Sequence, residues 1–310
     1  MVVPTFWAIL KTARPQRWVR NLSLFAAIVF SGQLFDPAVF WRVAWGVVVF
    51  SLVSSTVYFF NDLVDAPLDR MHPFKKKRPI AAGNLPEPVA IFLTVVGFFL
   101  SLFLALKLQY FFFLAVLAYF LLQIMYSLKL KQVAIIDLLV IATGFILRVY
   151  SGALVADIHL SVWFLLCVIA ASLLLAVGKR RAELSLLSDR AAAVRATLAG
   201  YPERLLDVWV AMFAIMSIFS YILFTFQQPA VVPSYRLVPL LLVLPRALSV
   251  EKWLMLSIPV VIYGVMRYLQ LIYKENQGES PERILLTDAP LLTSVVLWGV
   301  LVIGVLYGIG

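Results

Sequence analysis

Long apolar runs recur along the chain, each close to the length that an α-helix needs to cross a hydrocarbon core of about 30 Å, and short charged or turn-forming stretches separate them. Nine can be marked, at 18–35, 43–60, 89–106, 110–128, 133–156, 161–178, 205–226, 253–273 and 290–309. They are apolar on all sides instead of alternating, which excludes a barrel of strands and predicts an all-α polytopic membrane protein with nine transmembrane helices. The stretch Leu237–Leu244 is apolar but short, set among Arg236, Pro239, Pro245 and Arg246, and reads as an interfacial segment. No low-complexity linker divides the sequence, so residues 1–310 read as a single transmembrane domain.

The loops on alternate sides of these runs differ in charge. One set holds Lys11 to Arg20, Arg70 to Arg78, Lys129 with Lys131, Lys179 to Arg204, and Lys274 to Arg283; the other is much poorer in Lys and Arg. The positive-inside rule assigns the first set to the cytoplasm, which puts the N-terminus inside and the C-terminus on the periplasmic or extracellular side. Composition agrees, since 63% of residues are hydrophobic and only 14% charged. A net charge of +10 would suit nucleic acid in a soluble protein, but here it follows from the cytoplasmic loops and implies no nucleic-acid partner. The expected setting is the inner (plasma) membrane. No small-residue cleavage site follows the first apolar patch, so the first helix is expected to be retained. Cys167 lies inside an apolar run and reads as a small buried residue.

The same cytoplasmic loops carry nearly all the carboxylates beside the cations: Asp62, Asp65, Asp69, Asp137, Glu183 and Asp189. Orientation alone does not require acids there. A polar chamber at the cytoplasmic ends of the helices does. In Asn61–Asp69 three acids fall at i, i+3 and i+7, which share a face if the segment is helical, and magnesium takes oxygen ligands of this kind. Asn61, Asp62, Asp65 and Asp69 are therefore the candidate Mg²⁺ ligands, with the three acids as the catalytic group. Pro67 interrupts the pattern and predicts a kink or an end to the helix near Asp65. Lys75, Lys76, Lys77 and Arg78 follow, the side chains that pair with phosphate oxygens. His72 reads as a loop-packing residue.

Further candidates lie elsewhere on the cytoplasmic side. Lys179, Arg180 and Glu183 fall within one helical turn and suit either a bound polyanion or a plain i,i+4 pair of Lys179 with Glu183. This loop and the Asn61 loop are faintly alike, as an internal repeat would leave them. Asp137 and Arg148 are eleven residues apart, on one side of the fifth span. A deep arginine is a functional candidate, or it makes a structural hydrogen bond to carbonyls or a buried ion pair. Tyr126 is either a substrate hydrogen-bonding group or an interfacial aromatic anchor. Asn21 opens an apolar span where an unpaired amide would be costly, so Arg20 and Asn21 are read as site residues, and Arg14 and Arg17 as ordinary positive-inside residues.

The pattern Asn-Asp-x-x-Asp-x-x-x-Asp at 61–69, with Arg78-Pro79-Ile80-Ala81-Ala82-Gly83 after it, resembles the first acidic motif of the UbiA superfamily of intramembrane prenyltransferases. Further stretches are similar to one branch, the decaprenyl-phosphate phosphoribosyltransferases: Arg14–Asn21, Tyr126–Lys131, Gly144–Arg148 with Gly152, Gly178–Leu184 and Pro281–Asp288. The resemblance implies a UbiA-type bundle of nine helices with a cytoplasmic polar cap, and Mg²⁺ binding of a diphosphate. In that branch the donor is phosphoribosyl pyrophosphate and the acceptor a polyprenyl (decaprenyl-like) phosphate in the lipid bilayer. It also implies that Lys75–Arg78 contact phosphate oxygens. Two departures separate the chain from aromatic-acceptor members: position 130 is Leu between Lys129 and Lys131, and the second acidic loop reads Lys179-Arg180-Arg181-Ala182-Glu183. The basic second loop suits a substrate with an additional phosphate.

The expected activity is Mg²⁺-dependent transfer of 5-phosphoribose to the lipid phosphate with release of pyrophosphate, making a precursor of lipid-linked pentoses for cell-envelope glycans. Two other readings stay open at this point. One is prenyl transfer from a prenyl diphosphate to an aromatic acceptor; the other is a transporter of a phosphorylated substrate, although transporters place their charges near the midplane. Polyprenyl chain length and oligomeric state are not legible.

Overall fold

In the computed structural model the structure describes residues 5–71, 75–187, 201–229, 252–274 and 281–309. His72, Asp189 and the stretch 237–244 lie outside them. The described chain is helical, with no strand, and divides into two compact units, one up to His159 and one from Leu160 on.

The first unit contains α1 (Thr5–Ala13), a 3₁₀ segment (Pro15–Phe25), α2 (Ala26–Phe30), α3 (Pro37–Met71), a single 3₁₀ turn (Lys75–Lys77), α4 (Glu87–Leu108), α5 (Tyr110–Leu128), a second 3₁₀ turn (Leu130–Gln132) and α6 (Ile136–Ala156). α3 packs on α4, α5 and α6, and the 3₁₀ segment packs on α3 and α6. Leu24, Ile28, Phe50, Phe112, Tyr119 and Val155 share the main core. A second cluster of Ala8, Phe59, Ala66, Ile80, Leu85 and Ala90 lies around the far end of α3. Local sequence explains the boundaries. Asp36 accepts the backbone N–H of Ala38 ahead of α3, and Gln109 accepts that of Phe112 at 2.9 Å, so one polar residue both ends α4 and caps α5.

Two elements differ from the sequence expectation. The first span, 18–35, is not one α-helix: eleven residues run as 3₁₀ helix and five as α-helix before the chain turns. A 3₁₀ helix rises about 2.0 Å per residue against 1.5 Å, so this shorter segment reaches about as far as a 20-residue α-helix. Buried Asn21 is the cause visible in the sequence, because its amide must find partners on α3 and α6. The second difference is α3, which does not stop at Asp65 but continues through Pro67 to Met71. Its 35 residues span about 52 Å at 1.5 Å each, well beyond a hydrocarbon core of about 30 Å, so its last turns leave the apolar layer.

The second unit contains α7 (Val162–Leu187), α8 (Glu203–Gln227), a 3₁₀ turn (Trp253–Ser257), α9 (Ile258–Lys274), α10 (Pro281–Thr287) and α11 (Ala289–Ile303), which ends in a π-helical turn (Gly304–Ile309). α7 packs along α8, and α9 packs on α11. Trp298 Nε1 donates to the Tyr221 hydroxyl at 2.8 Å, and that hydroxyl meets Ser257 Oγ at 2.6 Å. Asp288 caps α11 by accepting the N–H of Leu291 at 2.9 Å while it also receives Arg267 at 2.6 and 3.1 Å. Cys167 is half-buried.

Eight of these helices are long and apolar enough to cross a membrane by length and composition. Phe92, Phe99 and Phe103 on α4 and Ile215, Phe219 and Phe226 on α8 remain exposed. Apolar patches of this extent mark contact with another apolar phase, and the chain is a multi-pass membrane protein.

Candidate active site

The last turns of α3 carry the acidic motif. Asp62 and Asp69, seven residues apart, point to the same buried face with exposures of 2% and 3%. A buried carboxylate needs a cation and full hydrogen bonding. Arg14 Nη2 reaches both oxygens of Asp62 at 2.7 and 3.1 Å. One nitrogen of Arg78, Nη1, lies 3.2 Å from Asp62 and 2.7 Å from Asp69, so it bridges the two acids. Asp65, half-buried, pairs with Lys131 at 2.5 Å, and Asn61 accepts the hydroxyl of Ser127 on α5. Among the described residues no group of three acids closes on a common point. Magnesium does not require one, since it commonly takes one or two carboxylates and completes its shell with phosphate oxygens and water.

The backbone that aims these cations is unusual in two places. Arg14 adopts a left-handed conformation, φ 53°, between α1 and the 3₁₀ segment; for a residue other than glycine this costs about 1–3 kcal/mol and persists only when the surroundings impose it. In that conformation the Arg14 side chain is held by its ion pair with Asp62. Beyond the 3₁₀ turn, Gly83 takes φ 74°, a value that glycine adopts without strain, and lets the Arg78–Gly83 stretch fold back so that Ile80 is buried.

A cavity of ≈ 350 Å³ opens beside Asp62, and its described lining includes Lys11, Arg14, Arg17, Lys75, Lys77 and Arg78. Lys76 is exposed on the same turn as Lys75 and Lys77. Burial lowers the Arg14 guanidinium from its usual value; Asp62 opposes this, while the neighbouring Arg17 and Arg78 push the same way as burial. Such crowding of cations is a strong field for an anion.

The other candidates of this unit fall at different depths. Asn21 is fully buried and donates to Ser51 at 3.1 Å and Ser54 at 3.4 Å on α3, while its oxygen accepts Arg148 Nε at 3.0 Å. Arg148 also donates to the Gly144 carbonyl at 2.8 Å and to the Tyr119 hydroxyl at 2.5 Å, with the Tyr119 ring 4.9 Å away. These bonds go to neutral oxygens and not to Asp137, which is buried in the first turn of α6. Arg20 is half-buried with its guanidinium 5.9 Å from the Phe145 ring. Tyr126 is half-buried near the end of α5, and Lys129 is exposed just after it. The structure thus brings Asn61, Asp62, Asp65, Asp69, Arg78 and Lys131 together and gives Asn21 and Arg148 to a separate buried network.

In the second unit Arg180 is fully buried on α7 and pairs with Glu183, which also lies 3.8 Å from Lys179. Both the i,i+4 pair and a buried cation are therefore present. Arg181 binds Asp207 and Glu203 of α8 at 2.6 Å each and ties the two helices together.

Sequence reasoning missed Arg14, Arg17 and Lys11, taking the two arginines for orientation signals alone. The available signal was the Arg14-Pro15 pair, which breaks a basic helix just where its side chains would otherwise turn to solvent.

Comparison with known proteins gives a consistent result. Residues 2–286 match the profile of the UbiA prenyltransferase family. The decaprenyl-phosphate phosphoribosyltransferase of Mycolicibacterium smegmatis is 33% identical over 298 residues, covering 94% of this chain and 89% of that protein. That of Corynebacterium glutamicum is 32% identical over 295 residues, covering 94% and 84%. The structure of a UbiA homologue from Archaeoglobus fulgidus bound to GPP and Mg²⁺ superimposes with a TM-score of 0.68 at 18% identity, covering 96% of this chain and 99% of that one. The same homologue has a Cd²⁺-bound structure with a TM-score of 0.64.

Proposed function

Because this chain belongs to the UbiA prenyltransferase family, we propose that it transfers 5-phosphoribose from phosphoribosyl pyrophosphate to a polyprenyl phosphate, releasing pyrophosphate, at the cytoplasmic face of the inner membrane. The whole chain acts as one transmembrane domain in this reading, and the product is a precursor of lipid-linked pentoses for the cell envelope. The observation that carries it is the cation-lined cavity beside Asp62, in a chain whose full-length relatives are named for this transfer. Among the described residues the cavity is lined by more cations than acids, which suits a soluble donor bearing several phosphates better than a prenyl diphosphate with an apolar tail.

The acidic motif fits a divalent ion. Its donors are oxygens, and the single Arg78 nitrogen between Asp62 and Asp69 marks a place that a cation reaches from both. Asp62 and Asp69, with Asp65 and Asn61 beside them, would hold Mg²⁺, which when bound neutralises charge on the departing diphosphate. Arg78, Lys75 and Lys77 then take phosphate oxygens, Lys76 adds charge at the rim, and Arg14 orients Asp62. Lys131 orients Asp65, and Lys129, Tyr126, Asp137 and Arg20 complete the proposed polar surroundings in this unit; Lys179, Arg180 and Glu183 of the second unit are read separately as substrate-binding residues. Arg148 and Asn21 support them from within the bundle. The attacking oxygen of a lipid phosphate is already ionised at neutral pH, so no strong general base is needed. Catalysis rests on holding the two phosphates in line and stabilising the charge that leaves.

The decisive measurement is radiolabel transfer by purified protein with Mg²⁺, labelled phosphoribosyl pyrophosphate and polyprenyl phosphate in detergent. Label is expected in the lipid fraction. Absence of transfer, together with prenylation of an aromatic acid from a prenyl diphosphate, would replace this reading.

A further inference from the structure

The described lining of the cavity beside Asp62 comes from two distant parts of the sequence. Lys75, Lys77 and Arg78 come from one, and Lys11, Arg14, Gln16 and Arg17 from the other. Arg78 and Arg14 both engage Asp62, which marks the part of the cavity where a metal-bound diphosphate belongs. Lys11, Gln16 and Arg17 add two more charges and an amide around a space of ≈ 350 Å³, which falls within the range of about 300–1,000 Å³ that holds whole small molecules. Arg17 is also held in place, with Nη1 3.4 Å from the Tyr58 hydroxyl and the guanidinium 5.4 Å from the Tyr58 ring. A guanidinium already oriented loses less rotamer entropy when it binds an anion. Among the described residues the lining holds six cations and one acid, Asp62, a field that favours a bound anion.

We propose that Lys11, Gln16 and Arg17 form a second-phosphate subsite, which takes a phosphate monoester while the diphosphate lies toward Asp62. The subsite rests on the donor reading above, because phosphoribosyl pyrophosphate carries both groups on one molecule and a prenyl diphosphate carries only the diphosphate. Selection of a ribosyl over a prenyl donor is then made by the N-terminal segment, through a phosphate remote from the reacting carbon. The acceptor's lipid phosphate has the same monoester chemistry, and binding measurements separate the two sources.

The experiment is equilibrium binding to the purified full chain in detergent of three probes: ribose 5-phosphate, pyrophosphate with Mg²⁺, and a short polyprenyl phosphate. Arg17→Gln and Lys11→Ala should each weaken ribose 5-phosphate about tenfold, roughly 1.4 kcal/mol, and leave pyrophosphate within about twofold. Arg17→Lys should recover part of the loss, and unchanged thermal unfolding of the variants shows that the fold is intact. A loss confined to polyprenyl phosphate assigns the same subsite to the lipid. Parallel weakening of monoester and pyrophosphate, or no change in either monoester, overturns the proposal. Failure of the wild type to turn over phosphoribosyl pyrophosphate, with selective monoester loss in the variants, would instead remove the donor reading and leave the subsite.

Discussion

Arg148 donates its Nε hydrogen to Oδ1 of Asn21 at 3.0 Å, joining positions 127 residues apart. The bond connects α6 to the 3₁₀ segment, and Asn21 passes the connection to Ser51 and Ser54 on α3. An arginine so deep in an apolar bundle is tolerable only because each of its nitrogens meets an oxygen. Asn21→Ala leaves the charged donor short of a partner and should cost about 1–3 kcal/mol, seen as earlier thermal unfolding in detergent. An unchanged midpoint would show that the bond is idle.

Asp65 and Lys131 form a pair between the acidic motif and the turn after α5. Asp65→Asn should remove turnover by a factor of about 10² or more, the scale seen for preorganised electrostatic groups, at any magnesium concentration in the ordinary range. Lys131→Met should lower turnover less, because it removes the orienting cation and not the carboxylate. Near-normal rates in Asp65→Asn would take that residue out of the metal site.

Gly152 allows α6 to lie directly against the 3₁₀ segment, since a Cβ there would sit 1.9 Å from the Leu24 carbonyl oxygen. Backbone cannot swing aside as a side chain does. Gly152→Ala should therefore destabilise the protein by at least about 1–3 kcal/mol. Gly299 on α11 has nothing within 4 Å of its would-be Cβ, and Gly299→Ala should stabilise by about 0.5–1 kcal/mol through helix propensity. Thermal unfolding of the two variants side by side tests the contrast, and a Gly152→Ala protein as stable as wild type would contradict the close approach.

Arg267 holds the Asp288 carboxyl below the usual carboxylate range, chiefly by hydrogen bonding. A depressed folded-state pKa gives stability that is present above the unfolded value near 3.9 and is lost as pH falls through the folded value. The wild type should lose thermal stability on acidification below about pH 4, more steeply than Asp288→Ala. That variant should already be about 1 kcal/mol weaker at neutral pH from loss of the cap. Parallel pH profiles would show that the pair does not contribute.

Much of this molecule was legible from its apolar runs, and the reasons for the misses are physical. α4 and α5 were bounded within two residues because Gln109 is a sharp polar break between two uniformly apolar helices. α3 was cut short because a run of acids looks like the end of a span, whereas Arg14, Arg78 and Lys131 satisfy those acids and let the helix continue. Pro67 predicts a kink or an end near Asp65, yet the helix continues through it, with Pro67 exposed. The first span was invisible as 3₁₀ helix because hydropathy carries no information on pitch. At the site, the acids were legible from their spacing on one helical face, and Lys75–Arg78 from the run of cations that follows them. Arg14 and Arg17 were missed because a basic N-terminus looks the same whether it orients the chain or lines a pocket.

The length of α3 bears on how the protein meets its membrane. One continuous helix carries both the lipid-facing body and Asp62 to Asp69, so the height of the carboxylates relative to the headgroup plane is fixed by how much of that rod the hydrocarbon covers. A thicker bilayer would draw the acids toward the lipid phosphates and a thinner one would lift them away. Reconstitution in lipids of graded acyl length should accordingly give an optimum in turnover, and a flat response would show that the two are uncoupled. The bilayer then acts as a ruler for the height at which the acidic motif stands.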